Sequence, residues 1–221
     1  MANFFDLPRL VRDRIYRLHL VKADPTTREQ HDKNANHKPG PYGRAMPALL
    51  AVSKKAEREA AHIYYGENHF DMGEVRTVIS FGYFTYPRHL RLVREVTCTW
   101  DGMLAGEGFQ AIARMKSLHK LRIRVDEASI VHRLLSSRKN SRYIIDSHKR
   151  EPTAQEQLSI VRCPGYTGML KISNVPEVEF IKTFNWKKEV VGGPIPGGFL
   201  ETQVLPKLRG TSSDSTVACI G

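Results

Sequence analysis

The sequence predicts an α+β fold: a helical unit over residues 1–72, a small α/β layer over 73–186, and a disordered tail over 187–221. Three observations carry this expectation. Two stretches, 3–21 and 47–66, space their apolar residues by threes and fours, which places them on one stripe of a helix. Two alternating apolar runs, Val93/Val96/Cys98/Trp100 and Leu118/Leu121/Ile123/Val125, stand at a constant offset of 25 residues. Beyond Trp186 no periodic apolar face continues.

In the first helix, Asp6 or Leu7 serves as N-cap and Pro8 stands in the first turn, where its missing N–H is no loss. Leu7, Val11, Ile15 and Leu18 form its stripe, while Arg9, Arg12, Arg14, Arg17 and Lys22 lie largely off it. A basic amphipathic helix suits a membrane surface. The favoured alternative packs it on the next helix with its arginines in water, because sequence neighbours usually pack together. A polar loop, 23–46, follows and carries Pro25, Pro39, Gly40, Pro41 and Gly43. Its His31 and His37 lack the partners that would complete a metal site, so they read as solvated. The second helix starts at Pro47 and buries Leu49, Val52, Ala56, Ala60 and Ile63. On its polar face Lys55 and Glu59 attract, whereas Lys54 and Arg58 repel at the same spacing. Gly66 marks a left-handed cap, and the alternation from His69 to Met72 a short half-buried strand.

Across residues 4–72 the quoted pattern reads Leu7-Pro8-x-x-Val11-x-x-x-Ile15-Tyr16-x-Leu18, then Leu49-Leu50-x-Val52-Ser53-Lys54, then Tyr64-Tyr65-Gly66-Glu67-Asn68-x-Phe70. This resembles a large group of fungal F-box-like proteins. The resemblance implies that the helical unit docks a Skp-type adaptor of a cullin–RING ubiquitin ligase through Leu7, Pro8, Leu10, Val11, Ile15, Leu18, Leu50 and Val52. The C-terminal part would then hold a protein target. Two positions depart from the group's pattern: Leu10 replaces its usual acidic residue and Ala56 its usual tryptophan.

Residues 73–84 read as a short helix, with Val75, Val78 and Ile79 on one face. The repeated apolar runs then read as strands, joined by a helix over 107–115 that aligns Phe109, Ile112 and Ala113. A weaker third copy, Leu170 and Ile172, stands 49 residues past the second. A strand–helix period of 25 falls in the range of leucine-rich repeats, whose units bury their apolar faces only by stacking. An ordinary βαβ pair gives a similar period, and either way the layer is parallel and right-handed. Further on, 130–135 and 154–161 read as helical, 136–150 as polar and basic, and 165–168 as a turn into a strand over 169–172. Residues 177–181 form another strand candidate, and the glycine-rich 192–198 a flexible linker.

Chemistry is sparse. Thirty-four Lys and Arg against 23 Asp and Glu give a net charge of +11, which attracts nucleic acid or anionic membranes without specifying either. The densest basic runs hold Arg88, Arg91 and Arg94, and Arg138, Lys139 and Arg142. They carry an alternative reading as a nucleic-acid binder without sequence specificity. Cys98, Cys163 and Cys219 form no CxxC pair, which favours a reducing compartment, cytosol or nucleus. No apolar run approaches a membrane span, and the first residues do not read as a secretory signal. No phosphate loop, zinc motif or nucleophile elbow occurs, so no catalytic residue, metal or cofactor is expected. Asp101 and Asp126, also 25 apart, read as strand-to-loop residues. The favoured function is therefore a non-enzymatic protein-interaction module.

Overall fold

The computed structural model describes residues 3–27, 47–100, 104–125, 165–184, 189–194 and 204–210. A short 3-10 helix, Phe4–Asp6, leads into α1 (Arg9–Leu20) and a two-residue strand, β1 (Thr26–Thr27). Then come α2 (Ala48–Ala51), α3 (Lys54–Glu67), β2 (His69–Glu74), α4 (Val75–Phe84) and α5 (Pro87–Leu90). The layer continues through β3 (Glu95–Trp100), α6 (Ala105–Ala113), β4 (Lys120–Val125), α7 (Tyr166–Met169), β5 (Glu177–Phe184), β6 (Glu189–Pro194) and α8 (Leu205–Arg209).

Helix boundaries follow local hydrogen bonding. Asn3 and Asp6 form a reciprocal capping box around the 3-10 turn, and Pro8 occupies the N-cap position of α1 in place of Asp6 or Leu7. The single helix expected from Pro47 is two. Ser53 is extended, and its Oγ accepts from Ala56 N at 3.0 Å, which restarts the chain as α3. Gly66 lies inside α3, with no left-handed residue there; the helix ends at Asn68 in an extended conformation.

The sheet has six strands in sequence order, β1 to β6. All neighbours are parallel except β5 and β6. Four full-length parallel strands, β2 to β5, thus form its body. The 25-residue offset is the register itself: Val96, Cys98 and Trp100 pair with Leu121, Ile123 and Val125. A uniform strand order makes every crossover step the same way, and right-handed crossovers then carry the connecting helices to one face. There α4 packs on α6, and α6 on α7. Close approach needs glycine: a Cβ on Gly108 would meet Val75 Cγ1 at 2.6 Å.

Strand alternation divides the two faces. Phe70, Met72, Val96, Cys98, Trp100, Leu121, Ile123, Val125, Val178 and Phe180 are buried in one core with Tyr16, Ile63, Phe109 and Leu208. The core runs from α1 to α8, and the boundary expected at residue 72 falls inside β2. The opposite face carries a charged ladder. Arg124 donates to both oxygens of Asp71 at 2.8 and 2.7 Å, Arg122 Nε to Glu179 at 2.9 Å, and Lys120 pairs with Glu177 at 2.9 Å.

Two expectations are corrected. Met169 closes α7 and Leu170 follows it in a helical conformation, so 169–172 is no strand. Left-handed Gly165 (φ 96°) starts that helix, and the partner of β4 is Val178 and Phe180 in β5. The segment 126–164 lengthens this crossover past the 25-residue period. The tail also carries structure: 189–194 pairs with β5, and Val204 and Leu208 of the α8 region are fully buried. The helices expected at 130–135 and 154–161, Asp101, Asp126, His31, His37, Cys163, Cys219 and the rest of the tail lie outside the described residues.

Candidate functional site

At 100° per residue, positions 12, 16 and 20 of α1 lie opposite positions 11, 14 and 18. The inward side is Arg12, Tyr16 and Leu20. The expected apolar stripe faces out: Leu18 is 76% exposed and Leu7 and Val11 are also at the surface, and beside the stripe Leu10 is 83% exposed and Pro8 exposed as well. Ile15 alone of that stripe is half-buried. The helix is thus turned about from the packing that its periodicity predicts.

A buried polar cluster turns it. Arg12 donates from Nε and Nη2 to the two oxygens of Glu59 on α3, both at 2.8 Å. Its Nη1 also reaches the carbonyls of Phe5, at 3.2 Å, and Leu7. The Tyr16 hydroxyl donates to Glu59 Oε2 at 3.3 Å. A bidentate pair of this kind fixes orientation as well as distance. Hydrogen bonding from Arg12 holds the Glu59 carboxylate below its usual range, against the upward push of burial. Burial, then the Glu59 charge, pushes the Tyr16 hydroxyl up. The arginines are not simply in water either: Arg9 pairs with Asp13 and Arg17 with Glu67.

Beside the outward face lies a groove of about 630 Å3, lined by Phe4, Ile15, Tyr16, Leu49, Val52 and Tyr64 among others. Val52, 70% exposed after α2, stands at this groove. Leu50 does not: it is 1% exposed and belongs to the core, because α2 packs that side on α3. Of the eight expected docking residues, six reach the surface, Ile15 walls the groove, and Leu50 is excluded.

The Tyr64–Phe70 segment, the most specific part of the sequence pattern, is a structural lock. Asn68 is buried; its Nδ2 donates to Leu20 O at 2.9 Å and Tyr64 O at 2.8 Å, and its Oδ1 accepts from Lys22 N at 2.9 Å. One side chain thereby closes the C-terminal ends of α1 and α3 at the point where β2 begins. Tyr64 meets Phe70 edge-on at 5.7 Å and Tyr65 stacks on it at 6.1 Å.

No family model, curated protein or solved structure matches the chain.

The basic residues divide. Arg88 pairs with Glu57 and lies 4.7 Å over the Tyr86 ring, while Arg91 and Arg94 are exposed. Arg138, Lys139 and Arg142 lie outside the described residues. Among the described residues no group of three or more His, Cys, Asp or Glu is placed to hold a metal, and no helix is long and apolar enough to cross a membrane. Sequence reading missed Arg12, Glu59, Asn68 and His89. The signal for the first was present: Arg12, Tyr16 and Leu20 also step by four.

Proposed function

We propose that this chain is a non-enzymatic, F-box-like protein-interaction module, a substrate-recruiting subunit of a cullin–RING ubiquitin ligase. Its N-terminal unit docks a Skp-type adaptor through Leu7, Pro8, Leu10, Val11, Leu18 and Val52, with Ile15 in the groove wall. The observation that carries this reading is the outward apolar face of α1. Leu10 and Leu18 are exposed large apolar side chains on one side of α1, flanking Arg14, and they contribute nothing to the core, which leaves them available to a partner. Leu10 adds to that face where the F-box-like pattern that the sequence resembles has an acidic residue. Behind the unit, parallel strands in sequence order support a leucine-rich-repeat-like layer that holds a protein target.

The test is calorimetric binding of the purified chain to a recombinant Skp-type adaptor. Leu10→Glu with Leu18→Glu is expected to abolish binding and leave the Tm nearly unchanged, since exposed substitutions cost within about 0.5 kcal/mol. Leu50→Ala is expected to cost about 2–5 kcal/mol of stability as a core truncation. Absence of adaptor binding by the wild type overturns the ligase reading, and retained binding by the double variant overturns this choice of face.

A further inference from the structure

A second cavity, about 450 Å3, opens beside the N-terminal part of α3 and is lined by Lys54, Glu57, Arg58, Arg88, His89 and Leu92 among others. Three of these six are cations and one is an anion. Glu57 is engaged by Arg88 and, at 3.1 Å, by His89 Nε2. Lys54 and Arg58 have no ion-pair partner among the described residues. They stand one turn apart and repel each other, so the fold gains nothing from holding them together. They also occupy the first turns after the Ser53 cap, where the helix adds positive potential of its own.

His89 gives the cavity its second chemical feature. Its side chain is 3% exposed, stacks on Tyr65 at 4.9 Å, and carries a buried Nδ1 with no hydrogen-bond partner among the described residues. Burial holds the ring below its ordinary pKa, so it is neutral near pH 7. With Nε2–H given to Glu57, Nδ1 is a bare acceptor. The cavity therefore presents cationic donors, its one carboxylate, Glu57, being held by Arg88 and His89. The complementary ligand unit carries an anion, as a nucleotide does. Outside the cavity the chemistry continues: Arg91 and Arg94 are exposed, Tyr86 is half-buried beneath Arg88, and Tyr83 is 71% exposed. An exposed ring such as Tyr83 and cations without ion-pair partners among the described residues are the two parts of a single-strand platform, stacking bases and tracking phosphates.

We propose that this corner of α3 and α5 binds a single strand of nucleic acid, its phosphates held by Lys54 and Arg58 and continuing along Arg91 and Arg94. On the helical wheel Lys54, Arg58 and Ala61 face away from Glu59, the residue that α1 covers. The strand and the adaptor therefore use different sides of α3, and the two readings stand or fall separately.

The experiment is fluorescence anisotropy of a labelled oligouridine with the full chain, titrated with salt. Neutralising about four phosphates gives a log–log slope near −2.8, an affinity loss of about 50-fold between about 50 and 200 mM salt. Lys54→Ala with Arg58→Ala is expected to flatten the slope to about −1.4 and weaken binding at least about tenfold at low salt. Its Tm is expected to stay level or rise, because a repulsive pair is gone, which separates a binding role from a structural one. Should the double variant melt early, Arg58→Gln alone is expected to flatten the slope by about 0.7. Arg138→Ala with Lys139→Ala and Arg142→Ala is expected to keep most of the binding. The proposal is overturned if the wild type gives no anisotropy change at low salt, or if the Lys54/Arg58 variants bind as the wild type does. Loss confined to the 138–142 variant overturns it as well. So does equal or tighter binding of a phosphoserine peptide, which would assign the cavity to a phosphoprotein, or of inorganic phosphate alone.

Discussion

Asn68→Ala removes a side chain that makes three hydrogen bonds to the ends of two helices and contributes little apolar area. Leu20 O, Tyr64 O and Lys22 N lose their partner at once. At about 1 kcal/mol net per bond the expected cost is about 3 kcal/mol. For a chain of this length that corresponds to a Tm lowered by roughly 6–12 °C. Asn68→Asp sharpens the reasoning. Its Oδ1 still accepts from Lys22 N, but the second oxygen now faces two carbonyl oxygens, so the buried charged form is opposed. The folded pKa of that aspartate then lies above its unfolded value of about 3.9. The variant is accordingly nearest the wild type below that pH, and falls away as pH rises through the raised folded pKa. Thermal melts followed by circular dichroism at about pH 3.5 and pH 7 measure both effects. A Tm of Asn68→Ala within about 2 °C of the wild type would refute the lock, as would an Asn68→Asp deficit that is the same at both pH values.

Two further outcomes follow from the core and the open sheet face. Leu208→Ala is expected to cost about 2–5 kcal/mol in urea unfolding, because Leu208 is fully buried; a chain ending at residue 203 should melt several degrees lower. An unchanged midpoint for both would show that α8 does not hold the core. For Asp71, burial pushes the carboxyl up, but the hydrogen bonds from Arg124 and Gly73 N outweigh it and hold the group below its ordinary value. A depressed folded pKa stabilises above the unfolded value, about 3.9, and that contribution is lost as pH falls through the folded value. Asp71→Asn is therefore expected to melt below the wild type at pH 7, with the gap closing in acid. A gap that persists to about pH 2 would exclude the ion pair as its cause.

Where sequence reading succeeded, the decisive information was local or repeated. Apolar steps of three and four locate α1 and α3 because a helix places such residues on one side regardless of what covers them. The 25-residue offset became the β3–β4 register because adjacent parallel strands with the same alternation must pair in phase to keep Val96, Cys98, Trp100, Leu121, Ile123 and Val125 on one face. Ser53, read only as part of a longer helix, carried its cap in plain view.

Orientation was another matter. Two stripes run along this segment, one apolar through Leu7, Val11, Ile15 and Leu18 in steps of four, four and three, one mixed through Arg12, Tyr16 and Leu20 in steps of four. Periodicity cannot choose between them when the mixed stripe ends on an acid 47 residues away. The same holds for Leu50 and Leu10, both apolar in sequence, one packed between helices and the other in water. It holds for β5, displaced from the repeat by the long crossover, and for Val204 and Leu208, whose short apolar segment has no periodic signal of its own. A sequence fixes the pattern of side chains along each element; which side of the element faces the core depends on partners that only the folded chain brings within reach of Glu59, Lys22 and Val178.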